Sequence, residues 1–106
     1  PQPEGEGRIF SLQSGEVPGL RFADATLTKT LTGYKFQLPF AVVDEKAVEN
    51  YLKVYCPELD FWGWLDFSSG NIWLEDLKNA DFDKITLEIR DEDSVPVGSV
   101  VMAEKQ

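Results

Sequence analysis

At 106 residues, with 42% hydrophobic side chains and a single cysteine, the chain is sized for one domain that buries its own core without disulfide staples. Nineteen acids against ten bases give a net charge of -9, and the bases are scattered singly along the sequence. That balance argues against binding to nucleic acid or anionic lipid and favours a basic partner, or simple solubility. Histidine is absent, which removes the commonest general base and the commonest metal ligand. No apolar run approaches the roughly 18 residues of a membrane span, and no secretory leader pattern opens the chain, so a soluble protein is expected. Cys56 has no intrachain partner, so stability does not require an oxidising compartment, and the compartment stays open.

Residues 1–7 (PQPEGEG) have the composition of a disordered tail, leaving 8–106 as a single globular domain. Arg8 to Leu12 is a short strand candidate. Leu20 to Leu31 and Tyr34 to Val43 then flank Thr32-Gly33 and predict a hairpin with a two-residue turn. That turn pairs Lys29 with Phe36, Leu27 with Leu38 and Ala25 with Phe40 on a core face, and Thr28 with Gln37 and Thr26 with Pro39 on a solvent face. Pro39 cannot donate to a ladder, which predicts that its strand is an edge or that its nitrogen points outward.

Asp44 predicts the N-cap of one helix near 45–55. Glu45 suits the helix start, Ala47, Val48, Tyr51, Leu52 and Tyr55 recur at helical spacing, and Pro57 prevents continuation. A second hairpin follows between about Asp60 and Leu77, then Lys84–Arg90 with strict alternation, then a last strand over Gly98–Glu104. About seven strands and one helix, joined by hairpin-length connections, suit a mostly β antiparallel sandwich or curved roll. The alternative is an α+β arrangement with the helix packed on one antiparallel sheet.

The second hairpin holds all three tryptophans within a dozen residues. A turn on Ser69-Gly70 or Gly70-Asn71 pairs residues of opposite parity, so Trp62 and Trp64 share a face with Trp73, and Asp66, Glu75 and Leu77 join them. Phe61, Gly63, Leu65, Phe67, Ile72 and Leu74 form the other, core face. In the Ser69-Gly70 register Trp64 and Glu75 are near cross-strand neighbours. The tryptophan face carries too much aromatic surface for open solvent. Its cover is either the helix face of Val48, Tyr51, Leu52 and Tyr55 or another molecule.

Chemistry is thinly signalled elsewhere. No phosphate loop, zinc spacing or dinucleotide fingerprint occurs, no cofactor is expected, and no nucleophile, base and orienter set can be assembled. The stretch ITLEIRDEDSVPVG resembles the strand and Asp-x-Asp loop of C2 domains over about fourteen residues. That resemblance implies calcium at Asp91 and Asp93, although no carboxylate follows between Ser94 and Ala103, where that family supplies another ligand. The expectation is therefore a non-catalytic binding domain. Protein contact or self-association would use Trp62, Trp64, Trp73, Asp66 and Glu75, the carboxylates selecting a basic or hydroxyl-rich partner. Carbohydrate binding on the same platform is the alternative, and a carboxylate-based hydrolase is a more distant one.

Overall fold

A computed structural model describes residues 7–105, which form nine strands and no helix: β1 (Arg8–Glu16), β2 (Leu20–Phe22), β3 (Ala25–Lys29), β4 (Tyr34–Val42), β5 (Tyr51–Cys56), β6 (Phe61–Asp66), β7 (Asn71–Leu77), β8 (Lys84–Asp91) and β9 (Pro96–Glu104). The tail expected over 1–7 lies outside the described residues except for Gly7, which sits beside Thr28. Every pairing is antiparallel, in the order β4-β3-β1-β9-β8-β5-β6-β7, and β7 pairs back to β4. The result is a closed eight-stranded barrel, not a sandwich or a roll carrying a helix. The short β2 continues the line of β3 along β4.

Closure follows from alternation. Phe10, Phe36, Leu38, Val54, Ile72, Leu74, Ile85, Leu87, Ile89, Val100 and Met102 all point inward and are fully buried. Eight strands leave an interior just wide enough for such side chains to fill, so the barrel is a packed core. One end is closed by Arg8. Its guanidinium donates to both carboxylate oxygens of Glu104, each at 2.7 Å, and to the carbonyls of Ala80 and Phe82. The other end is closed by Val17, Leu20, Val48 and Tyr51, with the Tyr51 hydroxyl donating to the Pro18 carbonyl at 2.8 Å.

The helix expected near 45–55 is replaced by one turn and a strand. Asp44 does cap, its Oδ1 accepting the amides of Lys46 and Ala47, but the turn is not propagated and the chain is extended from Tyr51. Of the expected helical face, Val48 and Tyr51 are buried at the barrel end, Leu52 is exposed at a bulge where the β5–β8 register shifts between Tyr51 and Lys53, and Tyr55 stands opposite Trp62. Tyr51, Val54 and Tyr55 are good strand formers, and pairing with β6 and β8 on both sides decides the outcome.

The first hairpin keeps its expected faces but not its register. Lys29 pairs with Tyr34 and Leu27 with Phe36, a shift of two residues that preserves parity, and a longer loop over Thr30–Gly33 replaces the two-residue turn. β4 is flanked by strands on both sides, so it is not an edge. Since the Phe40 amide donates to the Gly70 carbonyl beside β7, the nitrogen of Pro39 points the other way, toward the interruption between β2 and β3.

Candidate functional site

The tryptophan hairpin is β6 and β7, joined by a four-residue loop, Phe67–Gly70. Trp64 pairs with Trp73, Leu65 with Ile72 and Asp66 with Asn71. The loop is two residues longer than expected, so the parity survives and the three tryptophans share the outer face of the barrel. Leu65, Ile72 and Leu74 are buried on the inner face, whereas Phe67 lies in the loop and packs edge-on against Phe40. Leu77 departs from the expected face. Asp76 adopts a left-handed conformation (φ 62°) within a bulge against β4, which turns Leu77 into the core.

The helix proposed as cover for this face does not exist. Trp62 and Trp64 remain 50% and 47% exposed, and Trp73 is half-buried. Tyr55 does reach Trp62, with ring centroids 4.8 Å apart, but as its cross-strand partner on β5. Leu52, which was to share the helical face, is exposed on the bulge.

Three cations join the rings. Lys35 lies over Trp73 at 5.0 Å, Lys53 over Trp62 at 5.4 Å and Arg90 over Trp62 at 5.8 Å. Arg90, Lys53, Trp64, Trp73, Gln37 and Thr26 stand level across β8, β5, β6, β7, β4 and β3, a continuous outer strip. At solvent-accessible rings such contacts contribute about 0.5–1 kcal/mol each. These cations are separated in sequence by up to 55 residues, so only the long-range pairings β4–β7, β5–β6 and β5–β8 assemble them.

The carboxylates on the strip are already engaged. Asp66 accepts from the Ser68 and Ser69 hydroxyls at 2.6 and 2.7 Å, from both of their amides and from the Trp73 indole at 3.3 Å. Those serine hydroxyls chiefly hold its carboxyl well below the ordinary carboxylate range. Asp66 is therefore the organiser of the β6–β7 loop. Glu75 accepts the Trp64 indole N–H at 3.3 Å, and Glu88 pairs with Arg90. Lys35 and Lys53, by contrast, form no ion pair among the described residues.

The remaining candidates do not converge. Asp91 Oδ1 accepts the amides of Asp93 and Val95, so it closes the β8–β9 turn, and among the described residues no three Cys, Asp or Glu side chains group as a metal site would require. Cys56 is fully buried, and burial pushes its thiol up to about 11. No helix among the described residues is long and apolar enough to cross a membrane. Comparison with protein-family models, with curated proteins and with solved structures finds no match for this chain.

Proposed function

We propose that this domain is a non-catalytic binding module that engages another protein through the outer strip of β5, β6, β7 and β4. The observation that carries the reading is a pair of half-exposed tryptophans on a rigid strand, bordered by Lys35 and Lys53 without carboxylate partners. Tryptophans and cations of this kind dominate protein interfaces, aromatic rings supplying apolar area and charges selecting the partner. The partner that fits presents carboxylates to Lys35 and Lys53, in place of the basic partner that composition alone favours. Hydrogen bonds from serines and indoles leave Asp66 and Glu75 charged, so the strip offers both signs, with Lys35 and Lys53 its cations without an ion pair among the described residues.

The same contacts favour a protein over a sugar. Stacking on a sugar ring needs an open aromatic face. Trp62 carries Tyr55, Lys53 and Arg90, and Trp73 carries Lys35, which leaves Trp64 alone unstacked. A non-catalytic role is supported by the lack of histidine and by the raised thiol of Cys56, which holds little thiolate at neutral pH.

A photo-crosslinking residue at Gln37, used to trap and identify a partner that is then purified, tests the proposal. Trp64→Ala is expected to weaken that complex by about thirtyfold, corresponding to a hot spot of about 2 kcal/mol. Charge reversal of Lys35 and Lys53 together should weaken it further, and added salt should mimic the reversal. A trapped partner indifferent to both changes would overturn the reading. So would a response confined to soluble glycans.

A further inference from the structure

The end of the barrel closed by Arg8 carries a cleft of about 420 Å³ that the aromatic strip does not use, lined by Leu59, Asp60, Phe61, Leu77, Lys78 and Asn79. Its origin is a divergence of strands. The β6–β7 ladder runs from Asp66↔Asn71 to Trp64↔Trp73 and stops there, so Phe61 at the start of β6 and Leu77 at the end of β7 line a wedge. The cleft combines an apolar part, Leu59, Phe61 and Leu77, with one anion, one cation and one amide. Volumes from about 300 Å³ upward with a few placed polar groups are typical of small-molecule sites, and barrel mouths are a common place for them.

The two charges line one cleft without pairing. Lys78 makes no ion pair among the described residues, and neither does Asp60. Asp60 Oδ1 accepts the Tyr55 hydroxyl at 2.6 Å, which orients the carboxylate and leaves its second oxygen for a donor. A second observation concerns the backbone. Asp60 ends the β5–β6 turn in a left-handed conformation (φ 47°), where glycine would fit without the side-chain penalty. Aspartate tolerates this conformation and glycine fits it as well, so Asp60→Gly can remove the carboxylate without straining the turn.

We propose that this cleft binds a free α-amino acid with an apolar side chain. The Asp60 carboxylate receives the ammonium, Lys78 and Asn79 receive the carboxylate, and Leu59, Phe61 and Leu77 contact the side chain. No tryptophan lines the cleft. Although Asp60 accepts a hydrogen bond from Tyr55, which packs on Trp62, Lys78 belongs to the cleft and not to the strip, so Lys78→Met tests this site separately from the protein-binding strip.

Titration of ¹⁵N-labelled protein with L-leucine, followed by amide chemical shifts, tests the assignment. Saturable shifts are expected at Asp60, Phe61, Leu77, Lys78 and Asn79. N-acetyl-leucine and leucine amide, each lacking one charge, should bind at least about tenfold more weakly, as charge-assisted hydrogen bonds require. Asp60→Gly relieves the left-handed conformation, offsetting the lost Tyr55 hydrogen bond, and should stay folded while losing at least about tenfold in affinity, and Lys78→Met should lose a similar factor. The proposal is overturned if neither L-leucine nor L-phenylalanine gives saturable shifts up to about 20 mM, if the blocked compounds bind equally well, or if folded Asp60→Gly binds as the native chain does.

Discussion

Replacing Gly63 by alanine puts a methyl group where β6 and β7 leave no room for one. A Cβ at this position would come closer than 3.0 Å to both the Trp73 carbonyl oxygen and Leu74 Cδ2, a separation that real Cβ atoms essentially never show. The side chain of Leu74 can rotate, but the Trp73 oxygen belongs to the backbone of the facing strand and moves only if the strand moves. Overpacking of this type costs about 1–3 kcal/mol, and about 2 kcal/mol in a domain of this size lowers the melting temperature by about 8–16 °C. Thermal melts followed by circular dichroism, together with urea unfolding, measure it. The control is Leu74→Ala in the same background, which removes one obstacle and leaves the carbonyl in place. It should not restore the loss, and its own cavity should add about 2–5 kcal/mol. A Gly63→Ala variant within about 0.5 kcal/mol of the native chain, or full rescue by Leu74→Ala, would refute the claim that backbone approach fixes this glycine. Gly63 also separates Trp62 from Trp64, so the variant should disturb the spacing of the exposed rings as well as stability.

Four further outcomes follow. Trp62 and Trp64 should give red-shifted, acrylamide-quenchable emission, with Trp62→Phe and Trp64→Phe each removing part of the quenchable fraction while the half-buried Trp73 stays protected. Arg8→Met removes the clasp to Glu104 and to two carbonyls and should cost about 1–3 kcal/mol by urea unfolding; a neutral result would show that the barrel end closes without it. The serines around Asp66, the Arg8 hydrogen bonds to Glu104, and the Thr86 hydrogen bonds that outweigh burial at Glu58 lower all three carboxyls in the folded state. Their stabilisation should be present above the ordinary carboxylate range and be lost as pH falls through the lowered values, a dependence that Asp66→Asn should flatten. Finally, Cys56 should resist alkylation at pH 8 in the folded chain and react on unfolding, since burial holds its thiol up to about 11; rapid labelling of native protein would contradict that.

Parity proved the durable part of the sequence. Both hairpins turned through loops two residues longer than expected, yet the even shift left Trp62, Trp64 and Trp73 on one face and Leu27, Phe36 and Leu38 on the other. Odd insertions were not legible. Ala47, Val48, Tyr51, Leu52 and Tyr55 gave a false helical period because a turn over 45–50 and a bulge between Tyr51 and Lys53 interrupt the strand alternation there, and the bulge at Asp76 moved Leu77 from outside to inside. The barrel itself was hidden because its closing contacts, β4 with β7 and β1 with β9, join segments far apart in the chain. For the same reason Lys35, Lys53 and Arg90 read as scattered bases, although three of ten end up beside tryptophan rings. Asp66, expected to face a partner, also ties down its own loop, a role its spacing to Ser68 and Ser69 did not announce.

The pairing of β1 with β9 bears on when this fold can exist during synthesis. Arg8 and Glu104 are 96 residues apart, and before β9 emerges β1 has only the three-residue ladder to β3 to hold it. A nascent chain that has completed β8 but not β9 therefore carries two open strand edges, those of β1 and β8, which β9 occupies together in the finished barrel. Ribosome-bound or truncated chains lacking β9 should be the aggregation-prone species of this protein, and the folding rate should be governed by that single late insertion.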